Sequence, residues 1–178
     1  MSEVSTASNL PQPSEWVQKW AGQIPAGGRV LDLACGSGRH TRYLASLHHP
    51  VEGVDIDAAP LAELAGIPGV SVRSADLEQG PWPYGAAEFA GIVVTNYLHR
   101  PSFAKLVRGL APGGVLIYET FALGNERFGR PSNPNFLLLP GELLEAVRGK
   151  LRVIAYEDVL VSQPKPAALQ RICAVRPA

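Results

Sequence analysis

Cysteine is scarce in this sequence. Cys35 and Cys173, the two present, lie far apart and form neither a metal-ligand spacing nor a disulfide framework, so a bound metal is not expected and a reducing, cytoplasmic setting is. Net charge is missing as well: 16 Lys and Arg residues balance 16 Asp and Glu residues, which leaves no basic field to draw in a large nucleic acid. No apolar run approaches the roughly 20 residues that a membrane helix needs. Met1 to Asn9 lacks the basic start and apolar core of a secretion signal. No internal repeat and no second domain can be discerned. What remains is a chain of 178 residues, 46% of them hydrophobic, and hence one domain with a substantial core.

What the sequence does have is a concentrated signal at Val30-Leu31-Asp32-Leu33-Ala34-Cys35-Gly36-Ser37-Gly38-Arg39-His40-Thr41. An apolar run meeting two glycines spaced by one residue predicts a buried strand, a tight turn and a helix start. Gly36 and Gly38 let backbone approach a ligand with no Cβ between them, and the helix beyond offers unpaired N–H groups. A dinucleotide turn carries a third glycine three residues later, and this chain has Thr41 there. Asp32 at the strand end would repel a pyrophosphate. A cationic ligand suits it better.

Around that turn the chain reads in order. Residues 1–12 predict a flexible arm, interrupted by Pro11, and residues 13–178 a single domain. Ser14 is placed to cap a short helix that carries Trp16, Val17 and Trp20 on one face, either covering the sheet or acting as a lid. A helix from Arg39 to about Leu47 stops before Pro50, with His48 and His49 as exposed turn residues. Val51 to Asp55 is a second strand. Asp55 follows the glycine turn by about 20 residues, the spacing at which an acid accepts both hydroxyls of a ribose. Asp57 is a helix cap for a segment running to about Ala65. Val70–Ser74 makes a third strand leading to Asp76. Glu78–Gly85 makes a proline-rich rim loop holding Trp82.

Phe89–Thr95 reads as a central strand buried on both faces. It delivers Thr95-Asn96-Tyr97-Leu98-His99-Arg100-Pro101 to the carboxyl edge, where an open parallel sheet keeps its chemistry. A helix from about Pro101 to Leu110, a turn, and a strand over Val115–Thr120 come next. Residues 121–137 hold Phe121, Phe128 and Phe136 among glycines, prolines and asparagines, which predicts an ordered lid loop on an acceptor pocket. A helix from Glu142 to about Val147 precedes two strands, Leu151–Val161 and Ala168–Val175, whose short connection requires antiparallel pairing.

The pattern Asp32-x-x-x-Gly36-x-Gly38 and the turn Leu110-Ala111-Pro112-Gly113-Gly114-Val115-Leu116 resemble motifs of class I S-adenosylmethionine-dependent methyltransferases, over about Val30 to Thr120. Within that group, Tyr97–Pro101 and the loop from Glu119 to Phe136 look like small bacterial enzymes of the tellurite-resistance-like and methyltransferase-domain-11/25 type. The resemblance implies a Rossmann-like α/β fold: a doubly wound sheet of about seven strands in order 3-2-1-4-5-7-6, the last antiparallel, with helices on both faces. It implies S-adenosyl-L-methionine as cofactor, with Asp32 facing the methionine end and Ala34, Gly36 and Gly38 forming the turn. Asp55 would take the ribose, and Ile56 would pack on adenine. Asp76 would take the adenine amino group, Leu77 would offer its N–H to the ring, and Trp82 would shield it. Thr95 and Asn96 complete the cofactor set. The fourth motif departs from the family's Asn-Pro-Pro-Tyr or Asp-Pro-Pro-Tyr signature, which argues against methylation of nucleic-acid or glutamine nitrogen.

The expected reaction is in-line methyl transfer to a small-molecule acceptor, driven by alignment and exclusion of water. A soft or ionised acceptor needs no base. For a protonated one, His99 is the first candidate, because imidazole titrates near neutrality. Tyr97 and Glu119 are candidates to orient the acceptor, and Arg100 and Arg127 to bind an anionic group. A monomer or a homodimer is expected. Two other classes stay open: a cofactor-binding protein without catalysis that acts through a partner, and an NAD(P)-dependent oxidoreductase.

Overall fold

The computed structural model describes residues 10–178, so Met1–Asn9 of the expected arm lie outside the described residues. Seven strands form one sheet: β1 (Val30–Leu33), β2 (Val51–Asp55), β3 (Val70–Ser74), β4 (Phe89–Thr95), β5 (Leu110–Phe121), β6 (Arg152–Val161) and β7 (Ala167–Val175). Their order is β3-β2-β1-β4-β5-β7-β6. β1 to β5 pair in parallel, and β7 runs antiparallel to both β5 and β6. The order, the lone reversed strand and the closing hairpin agree with the sequence-based expectation.

Hydrophobicity explains the arrangement. Every residue of β1 is buried, as a strand with a parallel neighbour on each side requires. Helices cover both faces. On one, α1 (Glu15–Trp20) and α2 (Arg39–Ser46) bring Trp16, Val17 and Leu44 onto Val30, Val93, Val115 and Ile117. On the other, α4 (Phe103–Gly109) and α5 (Glu142–Val147) bring Leu106, Leu143 and Val147 onto Leu31, Ile92, Leu116 and Ile172. α3 (Ala58–Ala62) ends three residues earlier than expected, ahead of a turn in which Gly66 takes φ +92°.

Several local expectations need correction. His49 is buried, with Nδ1 3.0 Å from the Gly28 carbonyl: His48 takes a left-handed φ of +67° and swings its neighbour inward. β5 starts at Leu110 rather than Val115, because the Pro112-Gly113 turn is absorbed into an irregular pairing with β4. Trp16 donates its indole N–H to the Ile172 carbonyl at 3.2 Å, so α1 covers the sheet and is no lid. Trp82 meets Tyr84 edge-on with centroids 5.8 Å apart, under the Lys105 ammonium at 5.2 Å, which ties it to the core beside α4.

Candidate active site

The carboxyl ends of the parallel strands share one edge, and the turn after β1 is its centre. Ala34, Gly36 and Gly38 all take positive φ, at +53°, +54° and +80°. The two glycines answer to different demands. A Cβ on Gly38 would stand 2.4 Å from Leu64 Cδ2, whereas a Cβ on Gly36 would meet nothing within 4 Å. Gly38 is therefore required by packing, and Gly36 by a left-handed turn whose face opens into the cleft.

Three acids sit at neighbouring strand ends in different states. Asp32 is buried at 1% exposure, and its Oδ2 accepts the Thr41 hydroxyl at 2.6 Å. Burial pushes its carboxyl up to about 7, against the opposing pull of Thr41 and Arg39. It therefore supports the turn from beneath; the structure does not bring it to the cleft surface where sequence reasoning put it. Asp55 is half-buried and reaches the turn: its Oδ2 accepts the Gly36 N–H at 2.8 Å and its Oδ1 the Asp57 N–H at 3.0 Å. A carboxylate has about four acceptor positions, so Asp55 keeps some for a ligand. Asp76 spends Oδ1 on the Glu78 and Gln79 N–H groups, at 2.9 and 2.8 Å, while Oδ2 has no protein partner among the described residues. Ile56, which follows Asp55 and precedes Asp57 in the chain, stands 66% exposed at the end of β2.

Beyond β4 the chain turns at Asn96, exposed, with φ +53°, whose N–H bonds the Glu119 carbonyl at 3.0 Å. Buried Tyr118 donates its hydroxyl to the Tyr97 carbonyl at 2.6 Å and fixes this segment from below. The Tyr97 phenol donates to Glu78 Oε1 at 3.2 Å; burial and that carboxylate hold it well above the usual phenol range. His99 Nδ1 lies 2.7 Å from Ser102 Oγ, in the short turn Arg100–Ser102 that opens α4. Glu119 is buried and committed, accepting from Ser14 Oγ at 2.7 Å and Arg171 Nη1 at 3.2 Å.

Arg100 does not face an anionic ligand. Its Nε and Nη2 bond Glu142 at 2.5 and 3.0 Å, and Nη1 and Nη2 reach the Asn135 and Leu137 carbonyls at 2.9 Å each. This guanidinium clamps the loop after β5 to α5. Asn125 adds a second anchor, donating to the Pro131 carbonyl and accepting the Ala168 N–H at 3.0 and 3.1 Å. Of the three phenylalanines expected to order the loop, Phe128 and Phe136 are 43% and 54% exposed, whereas Phe121 ends β5 and its carbonyl accepts the Leu138 N–H at 2.9 Å. Arg127 remains exposed, bonded to its own turn through the Gly124 carbonyl.

Sequence reasoning missed His40 altogether. It is 2% exposed, and its neutral ring links Ser14 to Thr95. Burial, with some help from the Arg39 charge, pushes it down to about 3. The available signal was its phase: it shares the inward face of α2 with Thr41 and Leu44.

A methyltransferase-domain family model matches residues 30–114, the span that holds the turn, both accessible acids and the tip of β4. Trans-aconitate 2-methyltransferase of Methylobacterium nodulans is 36% identical over 101 residues, covering 54% of this chain and 39% of that protein. Phthiotriol/phenolphthiotriol dimycocerosates methyltransferase 1 of Mycobacterium ulcerans is 31% identical over 158 residues, covering 82% and 58%. The crystal structure of TehB from Haemophilus influenzae superposes with a TM-score of 0.78 at 19% identity, covering 96% of this chain and 64% of that one. Residues 30–114 carry a methyltransferase domain, and the sheet has the fold of S-adenosylmethionine-dependent methyltransferases. The chain spans about half the length of the curated relatives it matches.

The donor set fits this family's cofactor. Gly36 leaves its face of the turn bare, Asp55 and Asp76 keep carboxylate oxygens free for hydroxyl and amino groups, and Ile56 offers an apolar surface to a base. Asp55 and Asp76 disfavour a phosphate chain and tolerate a cation. Among the described residues, no helix is long and apolar enough to cross a membrane, and no cluster of His, Cys, Asp and Glu side chains suits a metal ion.

Proposed function

We propose that this chain transfers the methyl group of S-adenosylmethionine in line to a small-molecule acceptor whose nucleophilic atom arrives soft or already ionised. The observation that carries the first half is the row of accessible acceptors, Asp55 and Asp76, at adjacent strand tips beside the open face of Gly36. In this reading Asp55 binds both ribose hydroxyls and Ile56 packs on adenine. Asp76 receives the amino group, and the Leu77 N–H meets the ring. The bound cofactor supplies a methyl group already activated by its sulfonium. The chain supplies alignment and a wall against water.

The second half follows from how the candidate bases are engaged. Glu119 is held by Ser14 and Arg171, Tyr97 keeps its proton on Glu78, and His99 is tied to Ser102. We assign Tyr97 and His99 to the acceptor wall and Glu119 to a positioning role. His99→Gln is then expected to keep kcat within about threefold, because a general base would account for 10²–10⁴; a hundredfold loss that titrates near neutral pH would restore His99 as the base. Arg100 clamps the loop at 121–137 through the Asn135 and Leu137 carbonyls, and we assign that loop to the other side of the acceptor pocket. The balanced charge supports a small acceptor over a nucleic acid, and two buried, unpaired cysteines suit a cytoplasmic enzyme, monomeric or homodimeric.

Calorimetry tests this reading first. S-adenosylhomocysteine should bind and NADH should not; the reverse would make the protein an oxidoreductase. Asp55→Ala is expected to weaken S-adenosylhomocysteine by about 1–3 kcal/mol, the scale of hydrogen bonds to a charged group. An unchanged dissociation constant removes Asp55 from the ribose. Metabolite extracts incubated with methyl-labelled cofactor then identify the acceptor. Tight cofactor binding with no labelled product from any extract would favour a binding protein that acts through a partner.

A further inference from the structure

The most informative unassigned feature is the buried hydrogen-bond chain that runs from the start of α1 to the tip of β4. Ser14 donates its backbone N–H to His40 Nε2 at 3.0 Å. A nitrogen that accepts carries no proton, so the neutral ring bears its hydrogen on Nδ1. That nitrogen stands 3.2 Å from Thr95 Oγ1 and must donate to it. With an incoming hydrogen bond on its oxygen, the Thr95 hydroxyl has its own proton to give, and it has no protein acceptor among the described residues. Ser14 is itself immobilised: its Oγ caps α1 through the Trp16 and Val17 N–H groups and donates to Glu119, which Arg171 holds in turn.

Sheet order says what lies above Thr95. If adenine sits at β3 and ribose at β2, as the proposed function has it, the rest of the cofactor continues over β1 and β4. Three strand spacings of roughly 4.8 Å, about 14 Å in all, separate β3 from β4, enough for a nucleoside carrying an extended amino-acid chain. The acceptor at that far end is a carboxylate.

We infer that Thr95 binds the carboxylate of the cofactor's amino-acid end, and that His40 is the positioning residue that makes the Thr95 hydroxyl a donor toward it. This rests on the proposed function and adds two residue roles to it. The arrangement is prepaid: His40 and Ser14 are fixed by folding, so the hydroxyl needs no reorientation when the ligand arrives.

The test pairs two ligands, S-adenosylhomocysteine and its decarboxylated analogue, with four proteins: the unmodified chain, Thr95→Val, Thr95→Ser and His40→Phe. Thr95→Val should weaken S-adenosylhomocysteine roughly tenfold and leave the analogue unaffected, on the scale of one charge-assisted hydrogen bond. Thr95→Ser should restore most of the loss. His40→Phe should weaken S-adenosylhomocysteine selectively as well, and ¹⁵N spectra of the unmodified chain should show His40 protonated on Nδ1. Equal losses for both ligands, no loss for either, or a proton on Nε2 would overturn the inference while leaving the methyltransferase reading intact. Failure of the unmodified chain to bind either ligand would overturn both.

Discussion

Gly38→Ala is expected to destabilise the fold by about 2–4 kcal/mol, which in a domain of this size lowers Tm by roughly 5–15 °C. Two costs combine. A φ of +80° is a left-handed conformation that a Cβ disfavours by about 1–2 kcal/mol. The added methyl would also stand 2.4, 2.5 and 2.9 Å from three carbons of Leu64, which is fully buried and has little room to retreat. Overpacking of this kind costs about 1–3 kcal/mol. Gly36→Ala is the informative contrast. Its φ is also positive, at +54°, but nothing stands within 4 Å of the new Cβ. That variant should lose only the conformational part of the stability while losing cofactor affinity, because the methyl occupies the open face of the turn. Thermal denaturation of both, with calorimetry, separates the roles; equal losses of Tm would refute the assignment.

Asp32→Asn is expected to gain stability relative to the unmodified chain as pH rises, by about 4 kcal/mol between pH 4 and pH 8. The sign follows from the raised carboxyl. Below about pH 4 both folded and unfolded chains hold the proton. Between the ordinary value of 3.8 and the folded value of about 7, the unfolded chain has released it and the folded chain keeps it. Stability is thus fully present below the lower value and is lost as pH climbs through the upper one. Asparagine accepts the Thr41 hydroxyl without a titration. His40 acts in the opposite sense: its value is pushed down to about 3, so its contribution is present above about 6.5 and lost as pH falls toward 3. Both proteins carry His40, so it cancels in the difference. Urea denaturation at pH 4.5, 6 and 8 measures that difference, and a flat one would contradict the burial argument.

The strand–turn–helix and the strand order could be read from the sequence because they depend on local pattern. Apolar runs over Val30–Leu33 and Phe89–Thr95, with glycines between strand and helix, admit few alternatives. The caps at Ser14 and Asp57 were legible for the same reason. Side-chain states were not. Asp32 lies on a strand buried on both sides, and only the returning Thr41 reveals that its carboxyl is enclosed. Arg100 reads as an exposed basic residue until Glu142 and two loop carbonyls, 35 to 42 residues away, close on it. Ser14, His40 and Glu119 come from three distant segments, and no periodicity connects them. The methyltransferase domain was nonetheless legible, since the glycine turn after Asp32 and the Pro112-Gly113-Gly114 turn both fall in the span that the family model matches.

One crystal structure would test the central claim most directly: the protein bound to S-adenosylhomocysteine. The account predicts adenine beside Ile56 and Asp76, ribose hydroxyls on Asp55, and the amino-acid end passing Gly36 toward Thr95. A nucleoside seated away from the tips of β1 to β4, or lying with its adenine over β4, would contradict it.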